Sequence, residues 1–393
     1  MPKSAVDGVL DLTRQLVAID SVSASLSPGS PGEAEIAAFA ADRLSRAGFV
    51  TEIIPAPSDP RRQSVLAVWR GSRPGRTVML NGHLDTVGVE GMLDPFTARI
   101  DGDRLYGRGT SDMKGGVAGI IVAAEALAAA GVPGRIVVTL AADEEDDSLG
   151  ALSLVTALAD RGIEADVCLI AEPTWLDLPV AHRGFAVVDV AIRGRAAHSS
   201  QPGEGIDVMP AMGALLVAVA ERDAELRAAP PHPLLAHGSL MATVARAGTA
   251  PFTVPAEAEV LIERRTLPGE TSSVALREVS DLIEGIRPSA PEVGWRAQPG
   301  TSRSAWQLDA SGPAAEFAAR LEESLPAAGA SAPVRSGAPY WMESALWQEA
   351  GVPTLVCGPA GGGLHALDEW VDIPQLERFP VALVDAVGRF LAD

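Results

Sequence analysis

The chain has 393 residues, too many for one ordinary hydrophobic core, which predicts two domains or one large domain with an insertion. Of these residues 47% are apolar, a share that excludes a disordered protein. The formal net charge of -20 would repel a nucleic-acid backbone or an anionic membrane, so we expect a small-molecule or peptide partner instead.

The first part of the chain alternates short apolar strands with helices. An amphipathic pattern predicts a first helix from Val6 to Ile19, and Glu33–Ala47 predicts a second helix. The predicted elements that follow are the strands SVLAVWR and TVMLNG, the helix Gly115–Ala130, the strand RIVVTLAAD, the helix Gly150–Arg161 and the strand ADVCLIAE. This alternation is typical of an α/β sheet covered on both faces.

From Gly184 the pattern changes to the order β-α-β-β-α-β, which is typical of the split ferredoxin-like unit. After about residue 300 the α/β pattern resumes with the helix Ala314–Leu325, the strand VPTLVCGP and the helix Gln375–Leu391. The sequence therefore predicts an α/β domain of residues 1–183 and 300–393 that carries an inserted α+β domain of residues 184–299.

Cysteine content and hydropathy indicate a compartment. Cys168 and Cys357 both lie in apolar, strand-like segments, which predicts buried reduced thiols. Asp7, Asp11 and Arg14 interrupt the N-terminal segment, so it lacks the apolar stretch of a secretory signal, and no later stretch reaches membrane-spanning length. We expect a soluble cytoplasmic protein.

Polar residues follow several of the predicted strands, where the functional groups of open α/β sheets collect. His83 and Asp85 come two residues apart at the end of TVMLNG and can face one side, with the Asp85 carboxylate holding the second imidazole nitrogen. The alternative is a turn in which Asp85 caps the next segment. Asp112, in GRGTSDMKGG, precedes glycines that let backbone approach an ion, or else it caps the following helix.

Three further carboxylates and a second histidine occupy similar positions. Glu144 and Glu145 follow RIVVTLAAD and point in alternate directions, so one can bind a metal while the other reaches a bound water, although a solvated helix start is the alternative. Glu172 ends a hydrophobic strand, and His365 follows a glycine loop. Together the two histidines and the carboxylates form a ligand mixture that suits zinc or a similar ion.

The ordered motifs GHLDT, GRGTSDMKGG, ADEE, AEP and GLHALDEWV resemble those of the zinc aminoacylase family that includes acetylornithine deacetylase, succinyl-diaminopimelate desuccinylase and carboxypeptidase G. The resemblance covers nearly the whole chain. It implies an α/β zinc-peptidase catalytic domain with an inserted α+β ferredoxin-like dimerisation (lid) domain. It also implies two divalent metal ions, with Zn2+ expected first and Co2+ or Mn2+ as alternatives.

The resemblance assigns a role to each residue of the strand-end set. It implies that His83 and Glu172 bind one ion, that Glu145 and His365 bind the other, and that Asp112 bridges both.

The same resemblance implies the catalytic groups. Asp85 would orient His83, and Glu144 would be the general base that takes a proton from a water activated by the two ions. It also implies a cis peptide bond after Asp112. His198, in GRAAHSSQPGEGID, would stabilise the oxyanion in the active site of a partner subunit, which implies a homodimer.

Substrate contacts are expected from several segments. Arg265, in IERRTLPGE, matches a family arginine and is a candidate clamp for a substrate carboxylate, while the neighbouring Arg264 is expected to face solvent. The backbone amides of Gly361, Gly362 and Gly363 could bind the same carboxylate.

The chain departs from the family pattern at two positions. Phe252 lies near the place of a common asparagine, so an aromatic surface replaces an amide contact, and Glu343 stands where an aspartate is common. Tyr340 and Trp341 could line a substrate pocket, with core packing as the alternative.

We therefore expect a di-zinc amidohydrolase that removes an acyl group from a small N-acyl amino acid or related N-acyl amine. A carboxypeptidase or dipeptidase of the glutamate-releasing kind, using the same site, is the alternative. A catalytically silent binding protein of this fold is disfavoured because the ligands and the base are all present. We expect no nucleic-acid or membrane partner.

Overall fold

The structure, a computed structural model, describes residues 8–393. Val6, at the start of the first predicted helix, lies outside the described residues. Within residues 8–393, none of the helices combines the length and apolarity that crossing a bilayer requires.

The structure contains the helices and strands that follow. The helices are α1 (Val9–Val17), α2 (Ala34–Arg46), α3 (Gly115–Ala129), α4 (Leu149–Asp160), α5 (Met209–Ala228), α6 (Ser273–Ile286), α7 (Pro313–Ala327), α8 (Ser344–Glu349) and α9 (Ile373–Ala392). The strands are β1 (Val50–Pro55), β2 (Gln63–Arg70), β3 (Thr77–His83), β4 (Arg99–Asp101), β5 (Arg104–Tyr106), β6 (Arg135–Ala141), β7 (Val167–Ile170), β8 (Leu178–His182), β9 (Gly184–Arg193), β10 (Ser239–Ala247), β11 (Glu257–Thr266), β12 (Gly294–Arg303), β13 (Trp306–Gln307), β14 (Arg335–Ala338), β15 (Thr354–Val356), β16 (Gly361–Gly362) and β17 (Trp370–Asp372).

These elements form two compact units. The first unit comprises the described residues up to Val180 together with Leu308–Ser336 and Leu346–Asp393. The second unit comprises Ala181–Gln307 and Gly337–Ala345. Each unit has its own cluster of buried apolar side chains, as a separately packed core requires.

The first unit is built on a six-stranded sheet with the strand order β1-β2-β6-β3-β7-β15. Strands β6, β3, β7 and β15 run parallel to one another, whereas β2 is antiparallel to both of its neighbours, β1 and β6. All seven residues of β3 are buried, because the strand is central and helices cover the sheet. The predicted α/β class is confirmed. The parallel pairing brings the carboxyl ends of four strands to one edge.

Helix α3 packs closely against this sheet because two of its positions are glycine. A Cβ on Gly116 would lie 2.2 Å from the carbonyl oxygen of Ala171, and a Cβ on Gly119 would lie 2.5 Å from the ring of Phe379. The helix therefore packs against the end of β7 on one side and against α9 on the other. This packing fixes the position of the turn Thr110–Lys114, which directly precedes the helix.

A smaller sheet with the strand order β16-β17-β5-β4 also belongs to the first unit. Gly361 is required there, since a Cβ at this position would lie 1.7 Å from the carbonyl oxygen of Trp370. The sheet joins the chain segment after β15 to the segment before Thr110–Lys114. His365 lies in the first of these segments, and Asp112 lies in the turn Thr110–Lys114 that follows the second.

The second unit has four antiparallel strands in the order β10-β11-β9-β12. Alternate residues of β9 are buried, as expected for a sheet with one covered face. Helices α5 and α6 pack on that face through Leu215, Val219 and Val279. The predicted β-α-β-β-α-β order is confirmed.

Candidate active site

The carboxyl ends of the parallel strands bring the predicted metal ligands together. His83 is the last residue of β3 and pairs with Ala141, the last residue of β6. Glu145 follows β6 and Glu172 follows β7, while His365 lies between β16 and β17, in the segment that follows β15. Since these strands are parallel neighbours, side chains far apart in sequence meet at one edge.

Asp112 lies between the two histidines. Its Oδ1 is 3.0 Å from His83 Nε2, and its Oδ2 is 3.4 Å from His365 Nε2. His365 Nε2 is also 3.1 Å from Glu145 Oε2, and His83 Nε2 is 4.0 Å from Glu172 Oε1. One carboxylate thus faces two imidazoles, each of which has a further carboxylate beside it.

Two sets of ligand atoms are close enough to surround an ion. The atoms of His83, Glu144 and Glu172 lie within 4.8 Å of one another, as do those of His83, Asp112 and Glu145. Glu144 is therefore within reach of the same centre as the predicted ligands.

The shifted pKa values of these groups indicate excess negative charge at the site. Burial lowers the pKa of His83, but the hydrogen bond with Asp112 and the charge of Glu172 raise it well above its ordinary value. Hydrogen bonds with Asp112 and Glu145 raise the pKa of His365 to about 10. Burial raises the pKa of Glu145, and the Asp112 charge raises it further. The carboxylates therefore hold protons on the imidazoles, and a divalent cation would supply the same positive charge.

This donor set fits one or more divalent cations. Imidazole nitrogens and carboxylate oxygens are the ligands that zinc and related ions take in proteins. Both histidines direct Nε2 toward the carboxylates, so both rings already present the same atom to a cation.

His83 is oriented by the backbone of Asp85. His83 Nδ1 lies 3.0 Å from the Asp85 carbonyl oxygen, whereas the nearest oxygen of the Asp85 carboxylate is 3.7 Å away. Because a carbonyl only accepts, Nδ1 donates its proton to Asp85, so loss of the second proton from the ring would leave the lone pair on Nε2, the atom that faces Asp112. The sequence predicted that the carboxylate would hold the ring, so that detail differs.

The Asp85 carboxylate instead holds the loop that carries Glu144, the predicted general base. Its two oxygens accept hydrogen bonds from the backbone amides of Glu144, at 3.1 Å, and Glu145, at 3.2 Å. Asp85 is fully buried. Asp85 therefore links the end of β3 to the loop after β6 in two ways, through its carbonyl and through its carboxylate.

The sequence did not predict a cluster of buried charged side chains next to this loop. Arg62 donates to Glu33 Oε1 at 2.5 Å and lies 2.6 Å from Asp143 Oδ1, and all three side chains are buried. Asp143 precedes Glu144 and has a positive φ of 64°. Arg62 lies in an irregular loop and shows no periodicity, so only the fold reveals its contact.

The turn Thr110–Lys114 places Asp112 at the site. The peptide bond between Asp112 and Met113 is cis, as the family resemblance implied.

The glycine loop after β15 is hydrogen-bonded to the turn that carries Asp112. The amide of Gly361 donates to Ser111 Oγ at 3.1 Å. This amide is therefore bonded within the chain, and its expected contact with a substrate carboxylate stays a prediction. The roles expected of Gly362 and Gly363 stay predictions.

His198 lies in the second unit, beside Phe252. The residue after His198 donates its amide to the carbonyl of Phe252, and His198 itself pairs with Thr253 in an isolated β-bridge. Phe252 is 78% exposed and adopts a positive φ of 62°. His198 is also exposed, so both side chains are presented on the surface of the unit.

Arg265 lies in a row of residues across the sheet of the second unit. Arg265 and Arg303 are the direct neighbours of Phe185 on the two adjacent strands, so all three side chains lie on one face. The Arg265 guanidinium is 5.4 Å from the Phe185 ring centre, and its Nε donates to Glu263. Burial lowers the pKa of Arg183, and the charge of Arg265 lowers it further.

The neighbouring arginine and the aromatic residues complete this face. Arg264 is buried and donates to Glu278 and Glu270, so the expectation that it faces solvent is wrong. Trp341 packs edge-on to Phe185 at 6.3 Å, which supports core packing for this ring.

Two other residues from the sequence analysis lie in the same segment, Gly337–Ala345. Tyr340 is 52% exposed and Glu343 is buried.

Sequence reasoning missed His182. Its ring is fully buried and stacks on Trp306 at 5.5 Å. Its Nε2 lies 2.9 Å from Ser344 Oγ and its Nδ1 lies 2.9 Å from the carbonyl of Arg183. Burial lowers the His182 pKa to about 4, so this ring is neutral near pH 7.

Comparisons with known proteins agree with the family that the sequence motifs resemble. The sequence profile of peptidase family M20/M25/M40 matches residues 79–388. The chain is 29% identical over 404 residues to a succinyl-diaminopimelate desuccinylase from Xanthomonas campestris pv. campestris (strain B100), covering 98% of this chain and 99% of the relative.

Solved structures share the fold. A tripeptidase from Staphylococcus aureus superposes with a TM-score of 0.79 at 17% identity, covering 99% of both chains. A dinuclear metal-binding peptidase of the M20 family from Bacillus subtilis superposes with a TM-score of 0.72 at 17% identity, covering 98% of this chain and 99% of that one.

Proposed function

The chain belongs to peptidase family M20/M25/M40, and from that premise we propose that it hydrolyses the amide bond of a small N-acyl amino acid or related N-acyl amine. Metal-dependent hydrolysis of amide bonds fits both the curated relative, a desuccinylase, and the family. Two divalent ions, Zn2+ first, are the proposed cofactors.

One observation carries this proposal. The carboxylate of Asp112, which is largely buried, faces the Nε2 atoms of two histidines, and Glu144 lies with Glu172 beside one of these histidines, His83. A binding protein would need the ligands but no extra carboxylate beside them. The presence of a base candidate at the metal cluster therefore supports hydrolysis.

The residues can divide the chemistry between them. Divalent cations bound by His83, Glu172, Asp112, Glu145 and His365 would acidify a water and polarise the amide carbonyl. Glu144 would accept the proton of that water on its carboxylate and pass it to the leaving nitrogen.

The hydrogen bonds of His198 support its proposed role as an oxyanion donor. Its Nδ1 accepts the backbone amide of Ser200 at 3.2 Å and lies 2.7 Å from Ser200 Oγ. Because Nδ1 accepts, the neutral ring carries its proton on Nε2. The exposed Nε2–H is then a donor that can stabilise a developing negative charge.

The arginine row supports a substrate with a carboxylate. Arg265 and Arg303 flank Phe185 on one face, and Arg183 lies close enough to Arg265 to feel its charge. Guanidinium groups bind carboxylates through paired N–H donors. Arg265→Met should raise KM for an anionic N-acyl amino acid with a smaller change in kcat, and an unchanged KM would contradict this contact.

The assembly and location are part of the proposal. We propose a homodimer in which His198 acts in the site of the partner subunit, with residues 184–299 as the dimerisation or lid domain. Cys168 and Cys357 are both buried and form no disulfide, which supports the proposed cytoplasmic location.

A substrate panel tests the proposal. Metal-free protein is reloaded with Zn2+, Co2+ or Mn2+ and assayed for release of free amine from N-acetyl, N-succinyl, N-formyl and N-aminoacyl amino acids. We expect turnover of at least one acyl class, and a loss of kcat of about 100-fold or more in Glu144→Gln with metal content retained.

The panel also separates the two enzymatic alternatives. Cleavage of N-aminoacyl compounds alone would favour a dipeptidase or carboxypeptidase over a deacylase. If no compound is cleaved by metal-loaded protein, or if Glu144→Gln is as active as wild type, the hydrolase proposal is wrong.

A further inference from the structure

Glu369 is a buried carboxylate with no role in the chemistry described above. It is 0% exposed. Its Oε2 accepts hydrogen bonds from Arg108 Nη1, at 2.7 Å, and from the Gly109 amide, at 2.9 Å. Its Oε1 accepts from the Ser111 amide, at 2.9 Å, and from the Asp112 amide, at 3.0 Å. The single carboxylate thus holds the backbone on both sides of Thr110.

Arg108 connects Glu369 to the loop that carries His365. It is 2% exposed, and its Nη2 donates to the carbonyl of Ala366 at 3.0 Å. Its Nε donates to the carbonyl of Gly88 at 3.2 Å. Ala366 directly follows His365, so Arg108 contacts the loop that carries this histidine.

The four donors explain how the chain tolerates a buried charge at this place. A carboxylate removed from water is costly unless its oxygens receive hydrogen bonds, and here each oxygen accepts two. The backbone must bend to bring these amides together, and Gly109 adopts a φ of 81° that favours glycine. The conformation of this turn therefore depends on Glu369.

The same turn determines where Asp112 lies. The Asp112 amide is bonded to Glu369, and its carboxylate lies between His83 Nε2 and His365 Nε2. The ion pair of Glu369 and Arg108 therefore contacts both the backbone of Asp112 and the loop that carries His365. Residues that hydrogen-bond to a metal ligand commonly change the affinity of the site for the metal.

We propose that Glu369 and Arg108 are positioning residues of the metal centre. They hold Asp112 and His365 at the spacing that a divalent cation requires, and neither contacts the substrate. This inference rests on the proposed function, because it assumes that the cluster binds metal.

Zinc affinity of metal-free protein tests this inference. Glu369→Gln keeps the size of the side chain but directs an NH2 group at amide donors, and Arg108→Lys keeps the charge but loses the planar fork that contacts Ala366 and Gly88. We expect each variant to bind Zn2+ about 10- to 100-fold more weakly in competition with a chromogenic chelator. We also expect kcat to recover with excess Zn2+ while KM stays near the wild-type value.

A matched control distinguishes positioning from general destabilisation. Glu278 accepts hydrogen bonds from the buried Arg264, at 2.9 Å, and from Arg222, at 2.8 Å, and it lies in the second unit. Glu278→Gln should lower the unfolding midpoint and leave zinc affinity unchanged. If it weakens zinc binding as much as Glu369→Gln does, the positioning role is wrong.

Wild-type protein is measured first, so the two proposals fail separately. Wild type that neither binds zinc nor cleaves an amide contradicts the proposed function. Wild type that does both, with Glu369→Gln and Arg108→Lys binding zinc equally well, contradicts only the positioning role. If Glu369→Gln does not fold, Arg108→Lys alone decides.

Discussion

His83 shows how individual hydrogen bonds prepare the site for a cation. The Asp85 carbonyl accepts from Nδ1, which leaves Nε2 directed at Asp112. The same Asp85 holds the amides of Glu144 and Glu145 through its carboxylate. A single residue therefore fixes the tautomer of a proposed ligand and the position of the proposed general base, which is why the spacing of two residues in NGHLDT matters.

The raised pKa values of the histidines predict that metal binding releases protons. His365, with a pKa of about 10, and His83 hold protons near pH 7, and a metal must displace them. We expect the apparent zinc affinity of metal-free protein to rise as pH increases from 6 to 8. Calorimetry in buffers of different ionisation enthalpy measures the released protons. A binding enthalpy independent of the buffer would contradict this prediction.

His182 predicts a component of acid destabilisation. Its pKa is about 4 in the folded protein, against an ordinary value of 6.5, because the ring is buried. Between these values the unfolded chain binds a proton that the folded protein does not, so stability falls as pH decreases. The free energy of unfolding should fall by about 2 kcal/mol from pH 7 to pH 5 through this residue.

A comparison of variants isolates the effect of His182. His182→Gln does not titrate and should show a correspondingly smaller difference between urea unfolding at pH 7 and at pH 5. Because the substitution also removes buried contacts, only the change with pH is diagnostic. Equal pH dependence in the variant and wild type would show that His182 does not titrate on unfolding.

At the scale of the elements, strand ends and close helix packing position the site. The parallel pairing of β3, β6, β7 and β15 aligns the residues that follow each strand. Helix α3 lies near Ala171, one residue before Glu172, because Gly116 has no side chain. The position of the helix and the position of Glu172, a proposed ligand, are therefore coupled through one glycine.

Two helix glycines provide a matched test of this packing. Gly116→Ala would place a methyl group 2.2 Å from the carbonyl oxygen of Ala171, so we expect it to lower the free energy of unfolding by about 1 to 3 kcal/mol.

Gly213, in α5, has open space around the added position, so Gly213→Ala should raise the unfolding free energy by about 0.5 to 1 kcal/mol through helix propensity. Chemical denaturation measures both substitutions. Equal changes in the two variants would show that contact with Ala171 does not limit position 116.

At the scale of the whole molecule, the chain builds two units with separate cores. The first contains the cluster around Asp112, and the second contains His198 and Arg265. Glu144 lies in the first unit and His198 in the second, so each can be substituted in a different subunit. Mixing such variants tests the proposed action of His198 across a dimer.

Mixing two inactive variants tests the dimer. In a heterodimer of Glu144→Gln and His198→Ala, one site has an intact base from one subunit and an intact histidine from the other. After complete exchange of equal amounts, activity should reach roughly a quarter of the wild-type value, because half of the dimers have one complete site. If His198 acts within its own subunit, the mixture stays inactive.

The sequence by itself determined the α/β class, the β-α-β-β-α-β segment and the candidate ligands. These features have local signals, since apolar periodicity marks strands and helices, and the ligands directly follow such strands. The short strands β4, β5, β16 and β17 were not predicted, because two or three residues carry no periodic pattern. Their pairing depends on contacts distant in sequence.

Only the tertiary structure decided which groups support the ligands. Glu369 lies 257 positions after Asp112, yet it binds the Asp112 amide. Arg62 reaches Glu33 and Asp143 from an irregular loop. The physical reason is that a buried charge is stable only where donors converge on it, and such convergence is produced by the packing of distant segments and leaves no mark in local sequence.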